Sequence, residues 1–177
     1  MEIKLCGVGG QGLGFAGRLL GEAAIMAGLH VAQTTAYGVE SRGGMSTSDV
    51  VISEGSIYFP EVRHPDFLLI MAEKGLQSNL QGIHSDTVIF YDNGTVNDIP
   101  EGPGRKYTYP FLDLALQRFG SREAATIIGL GAVVQISGVV PFQVLEETIE
   151  RYLPAKVQAQ NLEAIRLGRD LVAKLKK

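Results

Sequence analysis

The sequence opens with a glycine-rich loop of a kind that binds phosphate groups. Residues Gly7 to Gly12 read GVGGQG and follow a short apolar stretch that begins at Ile3. Between a strand and a helix, the G-x-G-x-x-G pattern allows a tight turn and exposes backbone N–H groups to a dinucleotide pyrophosphate. The loop therefore predicts an anion site, and NAD or FAD is the ligand that this pattern commonly binds.

Dinucleotide binding also requires an acidic residue that this sequence lacks. An Asp or Glu at the end of the second strand normally binds the ribose hydroxyls. This chain has Gln33, Thr34 and Thr35 there, and Glu40 comes only within the next glycine-rich segment. Two other interpretations of the loop stay open: a turn that only permits close packing, and an anion site that binds without catalysing.

That second glycine-rich segment carries the strongest polar cluster of the sequence. Residues 36–44 read AYGVESRGG, which places Tyr37, Glu40 and Arg42 among glycines. Glycines let a backbone approach another molecule closely, and an ion-pairing Glu and Arg beside them suit a loop pressed against a partner or a ligand. The alternative is a local turn with a surface ion pair, which would contribute little stability.

Residue sets for several other chemistries are absent from the sequence. His30, His64 and His84 lie far apart, and none has a second ligand at metal-binding spacing. There is no nucleophile elbow, no phosphate-loop lysine and no GDG run of thiamin diphosphate enzymes. The single Cys6 cannot hold an iron–sulfur cluster, which normally takes four thiolates, and its apolar surroundings predict a buried, unreactive thiol.

Length, composition and charge exclude further classes of protein. A chain of 177 residues with 45% hydrophobic and 20% charged residues predicts one folded domain, residues 1–177. A net charge of -3 argues against a nucleic-acid binder, because phosphate neutralisation needs a concentrated basic face. No apolar run is long enough to cross a membrane, and the first residues do not resemble a signal peptide. We expect a cytoplasmic protein.

The hydrophobic pattern predicts alternating strands and helices, which is typical of an α/β fold. The predicted strands are 3–8, 30–34, 46–53, 56–59, 66–71 and 87–91, and the predicted helices are 15–27, 73–80, 111–119, 123–137, 141–153 and one from about 156. Glu54 and Gly55 predict a hairpin between 46–53 and 56–59, so we expect some antiparallel pairing. Residues 93–106, rich in Gly, Pro and charge, are expected to be the least ordered.

Taken together, these segments resemble the gamma subunit, or gamma domain, of 2-oxoacid:ferredoxin oxidoreductases. The resemblance rests on GVGGQG, AGRLLGEAAIMAG and YGVESRGGMSTSDVVIS, and continues through PDFLLIMA and IIGLGAV. It implies a three-layer αβα domain with a mixed, mostly parallel sheet. The YGVESRGG segment is most similar to 2-oxoglutarate-type enzymes, with a pyruvate- or ketoisovalerate-type complex as the alternative. The chain departs from many relatives at Thr126, where they have Asn.

The resemblance also implies a division of labour among subunits. Members of the family convert a 2-oxoacid, CoA and oxidised ferredoxin into an acyl-CoA, CO₂ and reduced ferredoxin. Thiamin diphosphate, Mg²⁺ and the iron–sulfur clusters are then expected in alpha, beta and, where present, delta subunits. This chain is expected to bind no cofactor alone and to be inactive when isolated, although it could form a homo-oligomer.

The two glycine-rich segments are expected to face the same end of the sheet and to contact CoA or the partner subunits. Arg42 would pair with a CoA phosphate or a partner carboxylate, and Glu40 would orient Arg42. The candidate residues for contact with CoA, another anion or a partner subunit are Gly9, Gly10, Gln11, Gly12, Tyr37, Glu40, Arg42, Gly43 and Gly44. A free-standing dinucleotide-binding protein and a purely structural scaffold of the same complex are the remaining alternatives.

Overall fold

The computed structural model describes residues 1–38, 43–74, 76–97 and 101–175. Six strands of this part of the chain form one sheet in the order β2-β3-β1-β4-β5-β6. They are β1 (Glu2–Val8), β2 (His30–Tyr37), β3 (Met45–Ser53), β4 (Phe67–Ile70), β5 (Val88–Asp92) and β6 (Arg105–Tyr109). Strand β3 is antiparallel to both of its neighbours, whereas the other neighbouring pairs are parallel. The prediction of a mixed, mostly parallel sheet is therefore confirmed.

Helices cover the two faces of the sheet unequally. They are α1 (Leu13–Met26), α2 (Leu76–Asn79), α3 (Phe111–Phe119), α4 (Ala124–Ser137), α5 (Phe142–Tyr152) and α6 (Ala155–Leu171). Side chains of α1 and of α3 to α6 pack with one face of the sheet in the larger core. The short α2 packs on the other face, over a smaller core that contains Cys6, Leu68 and Tyr91. These layers form the expected αβα arrangement.

Helix α4 is the centre of the larger core. Every residue from Ala124 to Val134 is buried, and the helix carries no charged side chain. A helix that is hydrophobic all round must be surrounded by protein, which explains why α4 lies beneath α6. Contact between the two helices is close: a Cβ atom added at Gly168 would overlap the carbonyl oxygen of Ile128, and one at Gly131 that of Ile165.

The predicted strand at 56–59 is wrong. No strand forms there, and Tyr58 is 95% exposed. A hairpin partner for β3 would need a free edge of that strand, but β2 and β1 pair with both of its sides. The antiparallel pairing expected in the sheet is real and lies between β3 and these two strands instead.

The predicted helix at 73–80 is only the short α2, Leu76–Asn79. Strand β6 is an element that the sequence pattern did not predict: it begins at Arg105, at the end of the stretch 93–106, and pairs in parallel with β5. The strands predicted at 46–53, 66–71 and 87–91 and the four long helices after residue 110 are confirmed. Among the described residues, no helix is both long enough and apolar enough to cross a bilayer.

Candidate functional site

The two glycine-rich segments meet at one end of the sheet. Strand β1 ends at Val8 and β3 begins at Met45, and these two residues are partners in the antiparallel ladder. Just beyond them, the Gly9 N–H donates a hydrogen bond of 2.9 Å to the Gly44 carbonyl oxygen. The loops are thus joined by their backbones, at the same end of the sheet. Glu40 and Arg42 lie outside the described residues, so their expected ion pair stays a prediction.

The side chain of Gln11 closes the crevice between the ends of β1 and β4. Its Oε1 accepts a hydrogen bond of 2.8 Å from the Val8 N–H, and its Nε2 donates one of 2.8 Å to the Met71 carbonyl. In open α/β sheets, ligands bind in the crevice at the strand ends where the chain connections diverge to opposite sides. Here β1 and β4 flank that point, and a buried protein side chain spans it.

Hydrogen bonds continue from Met71 across the ends of the next strands. The Thr95 hydroxyl lies 2.8 Å from the Met71 carbonyl oxygen and 2.8 Å from Asp92 Oδ2. Asp92, fully buried at the end of β5, accepts a further bond of 2.8 Å from the Leu112 N–H in the first turn of α3. Asp92 was not among the candidate residues, although an Asp that ends a buried strand is a signal for a capping role.

Thr126 fixes the glycine loop to α4. Its fully buried hydroxyl donates a hydrogen bond of 2.7 Å to the backbone carbonyl oxygen of Gln11. The position where many relatives are expected to have Asn is therefore occupied by a side chain that holds the loop through its own hydroxyl. Together with the Gln11 side chain, this contact restrains the loop from both sides.

Gln33 stands where a dinucleotide-binding protein would have its acidic residue. Its Nε2 donates hydrogen bonds to the Gly14 carbonyl of α1, at 2.9 Å, and to Ser48 Oγ of β3, at 3.0 Å. The side chain is thus used to hold α1 on the sheet, and it carries no carboxylate for ribose hydroxyls. With Gln11 across the crevice, the geometry argues against a dinucleotide site.

The glycines of the two loops differ in whether their backbone conformation requires glycine. Gly10, Gly12 and Gly43 have φ angles of 90°, 75° and 63°, which other residues rarely adopt. Gly9 is exposed and has no such φ, and a Cβ atom added there would meet only the Gly44 carbonyl oxygen, at an ordinary 3.9 Å. Within the described part of the chain, neither conformation nor packing requires glycine at position 9.

Two polar side chains flank these loops. Tyr37, at the end of β2, is 70% exposed, and its hydroxyl lies beside the α-carbon of Gly14 in the first turn of α1. Lys74, which follows β4, donates a hydrogen bond of 3.0 Å from Nζ to the Gly43 carbonyl oxygen. Lys74 was not among the candidate residues, although a cation just after the end of a buried strand is a usable signal. A phenol and an ammonium group therefore lie beside the two loops, on a surface that can contact an anion or another protein.

The described residues do not fit an iron–sulfur cluster. Cys6 is buried, as predicted, and burial raises the pKa of its thiol well above the ordinary value, with Lys4 opposing and Asp49 adding to the shift. A cluster needs several accessible thiolates, whereas this chain has one protected thiol. In the ranges that the structure describes, no group of three or more His, Cys, Asp or Glu side chains is arranged to hold a metal ion.

The fold is a three-layer αβα domain whose two glycine-rich loops are joined at the ends of β1 and β3. Comparison with known proteins identifies its family. The family model for pyruvate ferredoxin/flavodoxin oxidoreductase matches residues 2–171, and the chain belongs to this family. It is similar to the 2-oxoglutarate synthase subunit KorC of Methanothermobacter marburgensis, with 34% identity over 97% of this chain and 96% of that protein. The KorC subunit of Archaeoglobus fulgidus is 32% identical over 95% of this chain and 86% of its own length.

A solved structure gives the same result. The gamma subunit of a keto/oxoacid ferredoxin oxidoreductase from Geobacter sulfurreducens has a TM-score of 0.82 and 31% identity, covering 96% of both chains. The pyruvate synthase subunit PorC of Methanothermobacter thermautotrophicus is a more distant relative, 27% identical over 99% of this chain and 98% of that protein. The resemblance inferred from the sequence motifs is therefore confirmed.

Proposed function

We propose that this chain is the gamma subunit of a 2-oxoacid:ferredoxin oxidoreductase of the 2-oxoglutarate synthase type. The complex would convert 2-oxoglutarate, CoA and oxidised ferredoxin into succinyl-CoA, CO₂ and reduced ferredoxin. The KorC relatives, which match almost from end to end, support this substrate. A pyruvate-type complex is the second candidate, favoured by the PorC match at lower identity.

In this proposal the chain contributes surface and positioning, and the partner subunits contribute the reactive groups. Thiamin diphosphate, Mg²⁺ and the iron–sulfur clusters would be held by the alpha, beta and, where present, delta subunits. The unsuitability of Cys6 as a cluster ligand is consistent with that division. The isolated chain should therefore be inactive, and electrons should reach ferredoxin only through the assembled complex.

The observation that carries the proposal is the unexplained glycine at position 9. A glycine on an exposed loop that neither its φ angle nor packing against the described residues requires is expected where another molecule approaches the backbone closely. The backbones of Gly9 and Gly44 are hydrogen-bonded to each other, so a molecule that contacts the first glycine-rich loop also lies next to the second one. Hydrogen bonds of the Gln11 and Thr126 side chains fix the first loop to the core of the domain. Because the loop is already ordered, binding to it costs less conformational entropy.

The approaching molecule would be CoA or a partner subunit. Arg42, in the segment between Tyr37 and Gly43, would supply the positive charge for a CoA phosphate or a partner carboxylate, with Glu40 orienting it. Replacing Arg42 with Ala should therefore weaken either assembly or the response to CoA. Unchanged assembly together with an unchanged CoA requirement would remove this role for Arg42.

The decisive experiment is to tag this chain in its native host, purify what accompanies it and assay the eluate. We expect larger subunits and a CoA- and thiamin-dependent reduction of viologen dye by 2-oxoglutarate. Pyruvate and 2-oxoisovalerate, assayed in parallel, test the alternative substrates, and omission of CoA is the control. Recovery of the chain alone, carrying a bound nucleotide, would instead support the dinucleotide interpretation.

A further inference from the structure

The two edges of the sheet differ in length and charge. Strand β2 has eight residues, HVAQTTAY, with no Asp, Glu, Lys, Arg, Pro or Gly, and five of the eight are exposed. Strand β6, at the other edge, has five residues, begins with Arg105 and Lys106, and follows Pro103 and Gly104. Short length, charge and proline are the usual devices that stop an edge strand from pairing with another chain. The β6 edge has these devices and the β2 edge lacks them.

The outer side of β2 is open among the described residues. Its only ladder partner there is β3. Helix α1 lies over one face of β2, where Gly21 approaches Val31 and Gly14 approaches Thr35. On the opposite face the alternate side chains are small, Ala32, Thr34 and Ala36. A long edge strand of this composition presents a row of backbone N–H and C=O groups that can accept a further strand.

We propose that β2 pairs antiparallel with β2 of a second copy of this chain, about a twofold axis perpendicular to the sheet. Pairing a strand with itself in this way satisfies the edges of both copies with one self-complementary contact. Since β2 carries no formal charge apart from the titratable His30 at its start, the two copies bring no like charges together. A second copy also offers a preformed strand, which costs less ordering entropy than a flexible segment of another protein.

This dimer leaves both candidate sites accessible. Antiparallel pairing sends the Tyr37 ends of the two strands in opposite directions. At about 3.3 Å per residue, those ends lie roughly 20 Å or more apart when the strands are centred on each other. The glycine loops that follow Tyr37 would thus be at the two far ends of the contact. The proposal does not depend on the proposed function, because it concerns the isolated chain.

The test is the mass of the purified full-length chain in light scattering over a dilution series. We expect a dimer, of twice 19.0 kDa, that dissociates on dilution. Thr34→Lys places an ammonium group at the middle of β2, where the two copies would bring like charges together, and should be monomeric across the series. Thr108→Lys adds the same charge to exposed β6 and should stay dimeric.

Circular dichroism of each variant checks that it is folded. If Thr34→Lys loses its fold, Ala36→Lys, at an exposed position of the same strand, takes its place. A wild-type chain that is monomeric at the highest concentration would overturn the proposal. So would a folded β2 variant that stays as dimeric as the wild type, or a Thr108→Lys variant that dissociates.

Discussion

Glycines at the helix contact and glycines at the strand ends serve this molecule differently. Where α4 crosses α6, a Cβ atom at Gly168 or Gly131 would overlap a backbone carbonyl oxygen of the other helix. At Gly9, in the loop after β1, the same atom would meet the Gly44 carbonyl oxygen at an ordinary 3.9 Å and no other atom of the described residues. Packing within the chain therefore favours glycine at both of these helix positions. Among the described residues Gly9 has no such requirement, which fits the proposed contact with another molecule.

Gly168→Ala should have the largest effect on the isolated chain. The new methyl group would overlap the Ile128 carbonyl oxygen, and backbone cannot move aside as a flexible side chain can. We expect the free energy of unfolding to fall by about 3 kcal/mol, the upper end of typical overpacking costs. Urea or guanidinium unfolding measures it. A loss below about 1 kcal/mol would mean that α4 and α6 can move apart to accommodate the methyl group, so that their contact does not require glycine at position 168.

Gln11→Leu should have the next largest effect, because it removes the side chain that closes the crevice. The Val8 N–H would lose its bond to Gln11, and the Met71 carbonyl would keep its bond from Thr95. Loss of these buried bonds should lower the free energy of unfolding by about 2 kcal/mol. Gln117→Leu, on the exposed side of α3, is the matched control and should change it by less than about 0.5 kcal/mol. Equal stability of the two variants would contradict the structural role of Gln11.

Thr126→Val should have a smaller effect, since it keeps the shape of the side chain and removes one hydroxyl. The backbone carbonyl of Gln11 would then lose its bond of 2.7 Å. The expected cost is about 1 kcal/mol in the same unfolding experiment. Thr126→Ser keeps the hydroxyl and should retain more of the stability than Thr126→Val. The reverse order would show that packing of the methyl group, and not the hydrogen bond, matters at this position.

Much of the fold could be predicted because local signals agreed with tertiary structure. The uninterrupted apolar run of α4 is one example. The prediction of a strand at 56–59 was wrong for a non-local reason. The local turn signal favoured a hairpin, but β1 and β2 already pair with both sides of β3. Strand β6 was also not predicted. Tyr107 and Tyr109 alternate as in a strand, but the glycines and prolines before them indicated an irregular segment.

The candidate site could be predicted only in part. Its glycines and Tyr37 were visible in the sequence, because turn residues and an unusual polar cluster are local features. The bonds from Gln11 to Met71 and from Thr126 to Gln11 join residues 60 and 115 positions apart. No local sequence pattern encodes such pairs. Gln11 was therefore predicted to contact an anion or a partner, whereas its side chain is buried and joins the ends of β1 and β4.

Gly9→Ala should have the smallest effect on the isolated chain and still impair the complex. Gly9 has no left-handed φ and, within the ranges that the structure describes, no close neighbour, so an alanine there should leave the free energy of unfolding unchanged or raise it by up to about 1 kcal/mol. In the purified complex, however, the methyl group would lie where a partner subunit or CoA approaches. We expect roughly tenfold weaker recovery of partner subunits, or a comparable rise in the KM for CoA.

Gly55→Ala is the matched control for that variant. Gly55 also has open space around it and no left-handed φ, but it follows the opposite end of β3 from the glycine loops. It should therefore match Gly9→Ala in stability and the wild type in assembly and activity. If Gly9→Ala instead destabilises the isolated chain as Gly168→Ala does, the reason for the glycine lies within the chain. If both variants assemble and turn over like the wild type, no molecule approaches the backbone at Gly9 closely enough to require it.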